Sequence, residues 1–140
     1  MIRANELRVG NYFTRKDIPG NWYKIRSISK DRLHPINTVE QDFKKNAYYA
    51  SDCELCDLLP IEISGDLLAR FGFAPELAGI EYSIALPIGN GLDLFIEEDF
   101  SCGLRNTLEN VSLYLKDIQY LHQLQNLYFA LTNQELKIKL

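Results

Sequence analysis

Cys53 and Cys56 form the sharpest chemical spacing in this chain. Thiolates set in a C-x-x-C pattern can chelate a metal ion or cycle through a disulfide. A structural zinc site needs a full tetrahedral ligand set. The remaining donors, Cys102, His34 and His122, are scattered and offer no second paired spacing. Thioredoxin-type redox chemistry wants the pair opening a helix after a strand. Here the neighbours are Asp52, Glu54 and Asp57, which disfavour a thiolate. The plain account, partly buried cysteines, is preferred, and a zinc or redox protein ranks third among the functions the sequence allows. No cofactor is implied.

The richer constellation is basic and aromatic. Arg15, Lys16, Lys24, Arg26, Lys30 and Arg32 interleave with Tyr12, Phe13, Trp22 and Tyr23. Cations follow phosphates and exposed rings stack on bases, so Arg15, Lys16, Trp22, Tyr23, Lys24 and Arg26 are the candidate nucleic-acid site. The competing account makes the aromatics a small core and docks the cations on acidic sequence elsewhere. Charge distribution permits both. Residues 1–45 hold ten Lys or Arg against five acids, whereas the rest holds five against fourteen.

Two further groups carry polar chemistry. His122, Gln123, Gln125 and Asn126 form a cluster able to hydrogen-bond a peptide or a base edge, giving a candidate interaction surface. The alternative is a solvated face, or a seam against the first lobe. Glu97-Glu98-Asp99 places carboxylates side by side, but neighbours in a strand point to opposite faces, so a solvated strand end is preferred.

The elements that would position these groups follow from periodicity. Asp117 to Thr132 reads as an amphipathic helix, with Tyr120, Leu121, Leu124, Leu127, Tyr128 and Leu131 on one face and Asp117 as its cap. Tyr12-Phe13, Trp22–Ser29 and Arg32–Val39 favour strands, the last interrupted by Pro35, and predict a strongly bent sheet like an SH3 partial barrel. Residues 40–59 are illegible apart from the apolar anchors Phe43, Tyr48 and Tyr49. Ser64 caps a short helix over 65–71 ended by Gly72. Gly89-Asn90-Gly91 joins strands Ile80–Ile88 and Leu92–Glu97 into a hairpin. Cys102-Gly103 reads as a loop, Asn110–Lys116 as a strand, and the tail LKIKL as an edge strand.

Three segments carry a resemblance: ANELRVGNY at 4–12, LPIEISGDLLARFGF at 59–73 and LHQLQNLYFALTNQEL at 121–136. In this order they resemble an uncharacterised family of short bacterial and phage-borne proteins. The resemblance implies a prophage or mobile-element setting and names no site.

The fold expected is α+β, a single domain with sub-lobes. A basic strand-rich lobe spans 1–60, and an acidic lobe over 61–140 has an antiparallel sheet covered by the terminal helix. The 140 residues include no apolar run near the roughly 20 needed to span a bilayer. The start MIRANELRVGNYF lacks a secretory pattern, and three cysteines, an odd number, favour a reducing compartment, so a cytoplasmic location is expected. The leading function is a non-enzymatic module that binds another protein. The alternative is a nucleic-acid-binding accessory protein.

Overall fold

The computed structural model describes residues 4–17, 20–29, 36–41, 50–78, 81–106, 108–109 and 111–138. His34, Pro35, Phe43, Tyr48, Tyr49 and the last two residues of the LKIKL tail lie outside them, as do Lys30 and Arg32. The architecture is α+β, with two antiparallel sheets, one of them curled into a half-barrel, and a C-terminal helix packed on a sheet. The chain forms two compact units, residues 1–62 with 120–135 and residues 63–119 with 136–140.

In the first unit, β1 (Tyr12–Arg15), β2 (Trp22–Ile28), β3 (Ile36–Gln41), β4 (Ala50–Cys53) and β5 (Leu58–Leu59) run in the order β4-β3-β2-β1-β5. Aromatic and β-branched residues suit a half-buried pleated surface, and β2 shows the resulting alternation. Tyr23 and Ile25 point inward while Lys24 and Arg26 face water. Phe13, Ile25, Ile36, Cys53 and Leu58 form the centre of the core, with Leu7 and Leu55 against it.

The terminal helix, α2 (Leu121–Thr132), belongs to this unit and packs against β1. This corrects the expectation of a helix that starts at Asp117 and covers the second sheet. Asp117 instead closes a strand, where it pairs with Ser101. The helix starts after Tyr120, whose N–H donates to the Gln123 side chain at 3.2 Å. Leu121 N–H donates to the Ile61 carbonyl at 2.8 Å, tying the first turn to the segment after β5. Asn133, at φ 56°, ends the helix in the left-handed conformation.

Its buried face also differs from the apolar stripe. Leu121 and Leu124 are fully buried, but Leu127 and Tyr128 are only half-buried and Leu131 is exposed. His122 and Gln125, expected on the polar side, are each 1% exposed. Gln125 goes inward because it meets backbone groups that need partners.

In the second unit α1 (Gly65–Arg70) leads into β6 (Ala74–Ala78), β7 (Glu81–Gly89), β8 (Leu92–Glu97), β9 (Ser101–Asn106) and β10 (Val111–Asp117). These strands form an antiparallel meander in the order β10-β9-β8-β7-β6. Ser64 accepts the Leu67 N–H at 3.2 Å, capping α1 as the sequence suggests. The helix closes with Phe73 N–H to Leu68 O and Gly72 N–H to Ala69 O, with Gly72 at φ +93°. That is the paired C-terminal bonding a left-handed glycine permits. The β7–β8 turn holds Gly89, Asn90 and Gly91 at φ 103°, 57° and 74°.

The Cys102-Gly103 stretch is a strand, not a loop. Gly103 is required there by close approach. A Cβ would lie 2.2 Å from the Leu113 carbonyl oxygen and 2.8 Å from the Phe95 ring. The neighbouring ring occupies the space a side chain would otherwise fill. The tail residues 136–138 form no strand.

Candidate functional site

The cysteine pair does not converge. Cys53 sits in the first core at 2% exposure, whereas Cys56 lies exposed on the short 3-10 turn Leu55–Asp57. Burial pushes the Cys53 thiol up to about 11. Cys56 is also raised, by desolvation first and then by its hydrogen bond to Glu54 and the charge of Asp57. Cys102 belongs to the second unit, where burial pushes it up to about 12. Among the described residues no group of three or more His, Cys, Asp or Glu could hold a metal ion.

The basic aromatic set is divided by the pleat. Tyr23 is 2% exposed, in the core. Arg15 is equally internal: its guanidinium donates to Asp17 and to the Thr38 hydroxyl at 3.2 Å, and lies 5.3 Å from the Tyr23 ring centroid. Trp22 is half-buried beside Tyr12, ring centroids 5.6 Å apart. Lys16, Lys24 and Arg26 remain exposed. The excess of cations in residues 1–45 is offset inside the same unit by Asp52, Glu54, Asp57, Glu62 and Glu135. Residues 1–62 and 120–135 carry ten Lys or Arg and ten Asp or Glu. The expected contrast of a basic and an acidic lobe therefore reduces to a neutral unit and an acidic one.

The amide cluster on α2 is a seam within the first unit rather than an open surface. Gln125 accepts the Tyr12 N–H at 2.9 Å and donates to the Gly10 carbonyl at 3.0 Å. Asn126 donates to the Glu6 carbonyl at 2.8 Å and accepts from Asn11 at 2.9 Å and Arg8 at 3.1 Å. Arg8 also pairs with Glu135 and lies 4.4 Å over the Phe129 ring. His122 packs beside Phe13 and Tyr120, ring centroids 5.0 and 6.0 Å away, with its Nε2 3.7 Å from the Glu6 carboxylate. Gln123 is half-buried at the helix start. The physical reason lies in the backbone. The segment 6–12 enters β1 with carbonyl and amide groups outside the ladder, and buried groups of that kind require partners. The segments ANELRVGNY and LHQLQNLYFALT are thus two halves of one interface.

The acidic run behaves as a strand end. Glu98 and Asp99 are exposed in the β8–β9 turn, and Asp99 accepts the Ser101 N–H at 3.0 Å; hydrogen bonding from Ser101 holds its carboxyl below the usual range.

Sequence reasoning placed the strand β10 but missed its exposure. Val111, Leu113 and Leu115 alternate as a core face would, yet Val111 is 57% and Leu113 60% exposed. Tyr114, on the opposite face, is 59% exposed, and Leu108 in the preceding turn 88%. The strand pairs with β9 on one side, and among the described residues its other edge is unpaired. A register shift between Tyr114 and Lys116 makes Leu115 a bulge, leaving Val111–Tyr114 regular. Such an edge is normally guarded by lysine, proline or a bulge along its length. Here the lysine and the bulge sit only at the far end. Alternation alone cannot distinguish a buried face from a displayed one, so no sequence signal marked it.

No protein-family model, curated protein or solved structure matches the chain. Among the described residues no helix is long and apolar enough to cross a membrane.

Proposed function

We propose that this chain is a non-enzymatic protein-interaction module, of the kind a prophage or mobile element carries, and that β10 is its docking edge. The observation that carries the reading is a regular, apolar strand exposed on both faces and, among the described residues, open along one edge. Unpaired N–H and C=O groups there select an extended segment of another protein, and Val111 and Leu113 supply an apolar surface for its side chains. Affinity capture from the native host, comparing wild type with Leu113→Lys, tests this. The substitution alters an exposed side chain and places a charge against any added strand. Wild type retains a partner that the variant loses, and the partner slows amide exchange at Val111–Tyr114. Capture of the same proteins by both forms refutes the reading.

A second reading, nucleic-acid binding by the first unit, is favoured by exposed Lys24 and Arg26 projecting from the strand that carries half-buried Trp22. Salt-sensitive binding to DNA or RNA that weakens in the double variant Lys24→Ala, Arg26→Ala supports it. Absence of binding at low salt removes it.

A further inference from the structure

The second unit contains a cleft of about 300 Å³, open on one side, where the start of α1 approaches β7, β8 and the β8–β9 turn. Its apolar wall is built from Ile63, Leu68, Ile84, Ile96 and Phe100. Ile84 and Ile96 are cross-strand partners, so they present one continuous apolar patch. Phe100 reaches the cleft from a left-handed backbone position, φ 69°, unusual for an aromatic residue. Its N–H donates to the Glu97 carbonyl at 3.0 Å, and its own carbonyl accepts the Ile118 N–H at 2.8 Å. These bonds fix the Phe100 main chain beside the wall.

The charged lining is of one sign. Glu97 and Glu98 both line the cleft, and Glu98, two residues on from the wall residue Ile96, is exposed. The surrounding field has the same sign, since residues 63–119 and 136–140 carry nine Asp or Glu against five Lys or Arg. A low-dielectric wall bordered by negative charge concentrates cations. Small-ligand sites combine an apolar lining with a few placed polar groups and begin at about 300 Å³. We infer that this cleft binds a small amphipathic amine, its alkyl or aryl body against the isoleucines and Phe100 and its ammonium toward Glu98. A carboxylate of equal size is repelled, and a neutral alcohol keeps only the apolar contact.

Gly65 gives a way to close the cleft without disturbing the fold. It lines the cleft, its φ lies outside the left-handed range, and a Cβ added there meets nothing within 4 Å. The experiment titrates the full chain, methyl-labelled at isoleucine and leucine, with hexylammonium, hexanol and hexanoate. Hexylammonium is expected to shift the Ile63, Ile84, Ile96 and Leu68 methyls saturably. It should bind about threefold to fivefold more tightly than hexanol, the scale of an exposed ion pair, with hexanoate weakest. Glu98→Gln reduces the preference for the ammonium over the alcohol, and Gly65→Phe abolishes both while the thermal midpoint stays near wild type. Hexanoate binding as tightly as hexylammonium overturns the inference, as do shifts scattered outside the cleft. A blocked lysine peptide binding more tightly than the free amine overturns the small-ligand assignment in favour of a protein side chain.

Discussion

Replacing Gln125 with alanine removes a side chain that serves two buried backbone groups at once. The Tyr12 N–H loses its acceptor and the Gly10 carbonyl loses its donor, in a position where Gln125 is 1% exposed. A buried polar group left without a partner costs about 1–3 kcal/mol, so the pair costs about 2–6 kcal/mol. That is a large share of the roughly 5–15 kcal/mol by which domains are stable. The natural control is Gln123→Ala, two positions away on the same helix. Gln123 is half-buried and supports the capping bond from Tyr120 N–H, with an expected loss of about 1 kcal/mol. Urea denaturation followed by fluorescence is suited to the comparison. Trp22 is the single tryptophan, and it lies against Tyr12 in the unit that holds the seam. Gln125→Glu adds a second arm. The carboxylate keeps the acceptor for Tyr12 but offers Gly10 no donor until it is protonated. Burial raises the pKa of this engineered acid in the folded state above the unfolded value. The folded form then binds the proton more tightly, and the variant gains stability as pH falls through the folded pKa. A loss for Gln125→Ala no greater than that for Gln123→Ala refutes the account of the seam, as does a Gln125→Glu variant insensitive to acid.

Gly103→Ala drives a methyl into the Leu113 carbonyl and the Phe95 ring. It is expected to lower stability by about 1–3 kcal/mol or more, read by thermal denaturation. Wild-type stability in that variant would contradict the close approach. At neutral pH a thiol reagent is expected to label exposed Cys56 in the native chain, and Cys53 and Cys102 only after urea is added. Rapid native labelling of all three would show that the cores are not closed. Because burial lifts the folded Cys53 and Cys102 thiols to about 11 and about 12, the stability they confer is complete below the unfolded thiol value and declines as pH rises through that alkaline window. A chemical denaturation series from pH 8 to pH 11 checks the direction, and rising stability would refute it. Leu113→Lys is expected to change stability by less than about 0.5 kcal/mol, since surface substitutions seldom do more, and to reduce self-association at high concentration. A large loss of stability would show that Leu113 is a core residue.

Local punctuation was the readable part of this fold. Ser64 and Gly72 bracket α1, and Gly89-Asn90-Gly91 turns β7 into β8, because capping and positive φ depend on residues adjacent in the chain. β9 was hidden, since Gly103 weakens a strand signal until Phe95 is known to lie over it. The same limit applied to the candidate sites. The alternation of Tyr23 and Ile25 with Lys24 and Arg26 allowed an aromatic core, but nothing near Arg15 in sequence reveals that this cation turns inward.

By itself the amino-acid order determined the α+β class, the terminal helix and the main hairpin, because periodicity and turn chemistry act over a few residues. Only tertiary structure decided which face of that helix is buried. Gln125 goes inside and Asn126 becomes half-buried because Glu6, Gly10 and Tyr12, more than a hundred residues earlier, present backbone groups that their side chains satisfy. It likewise decided that the apolar alternation of β10 faces outward, since a strand's pattern names two faces and leaves their cover to the rest of the chain.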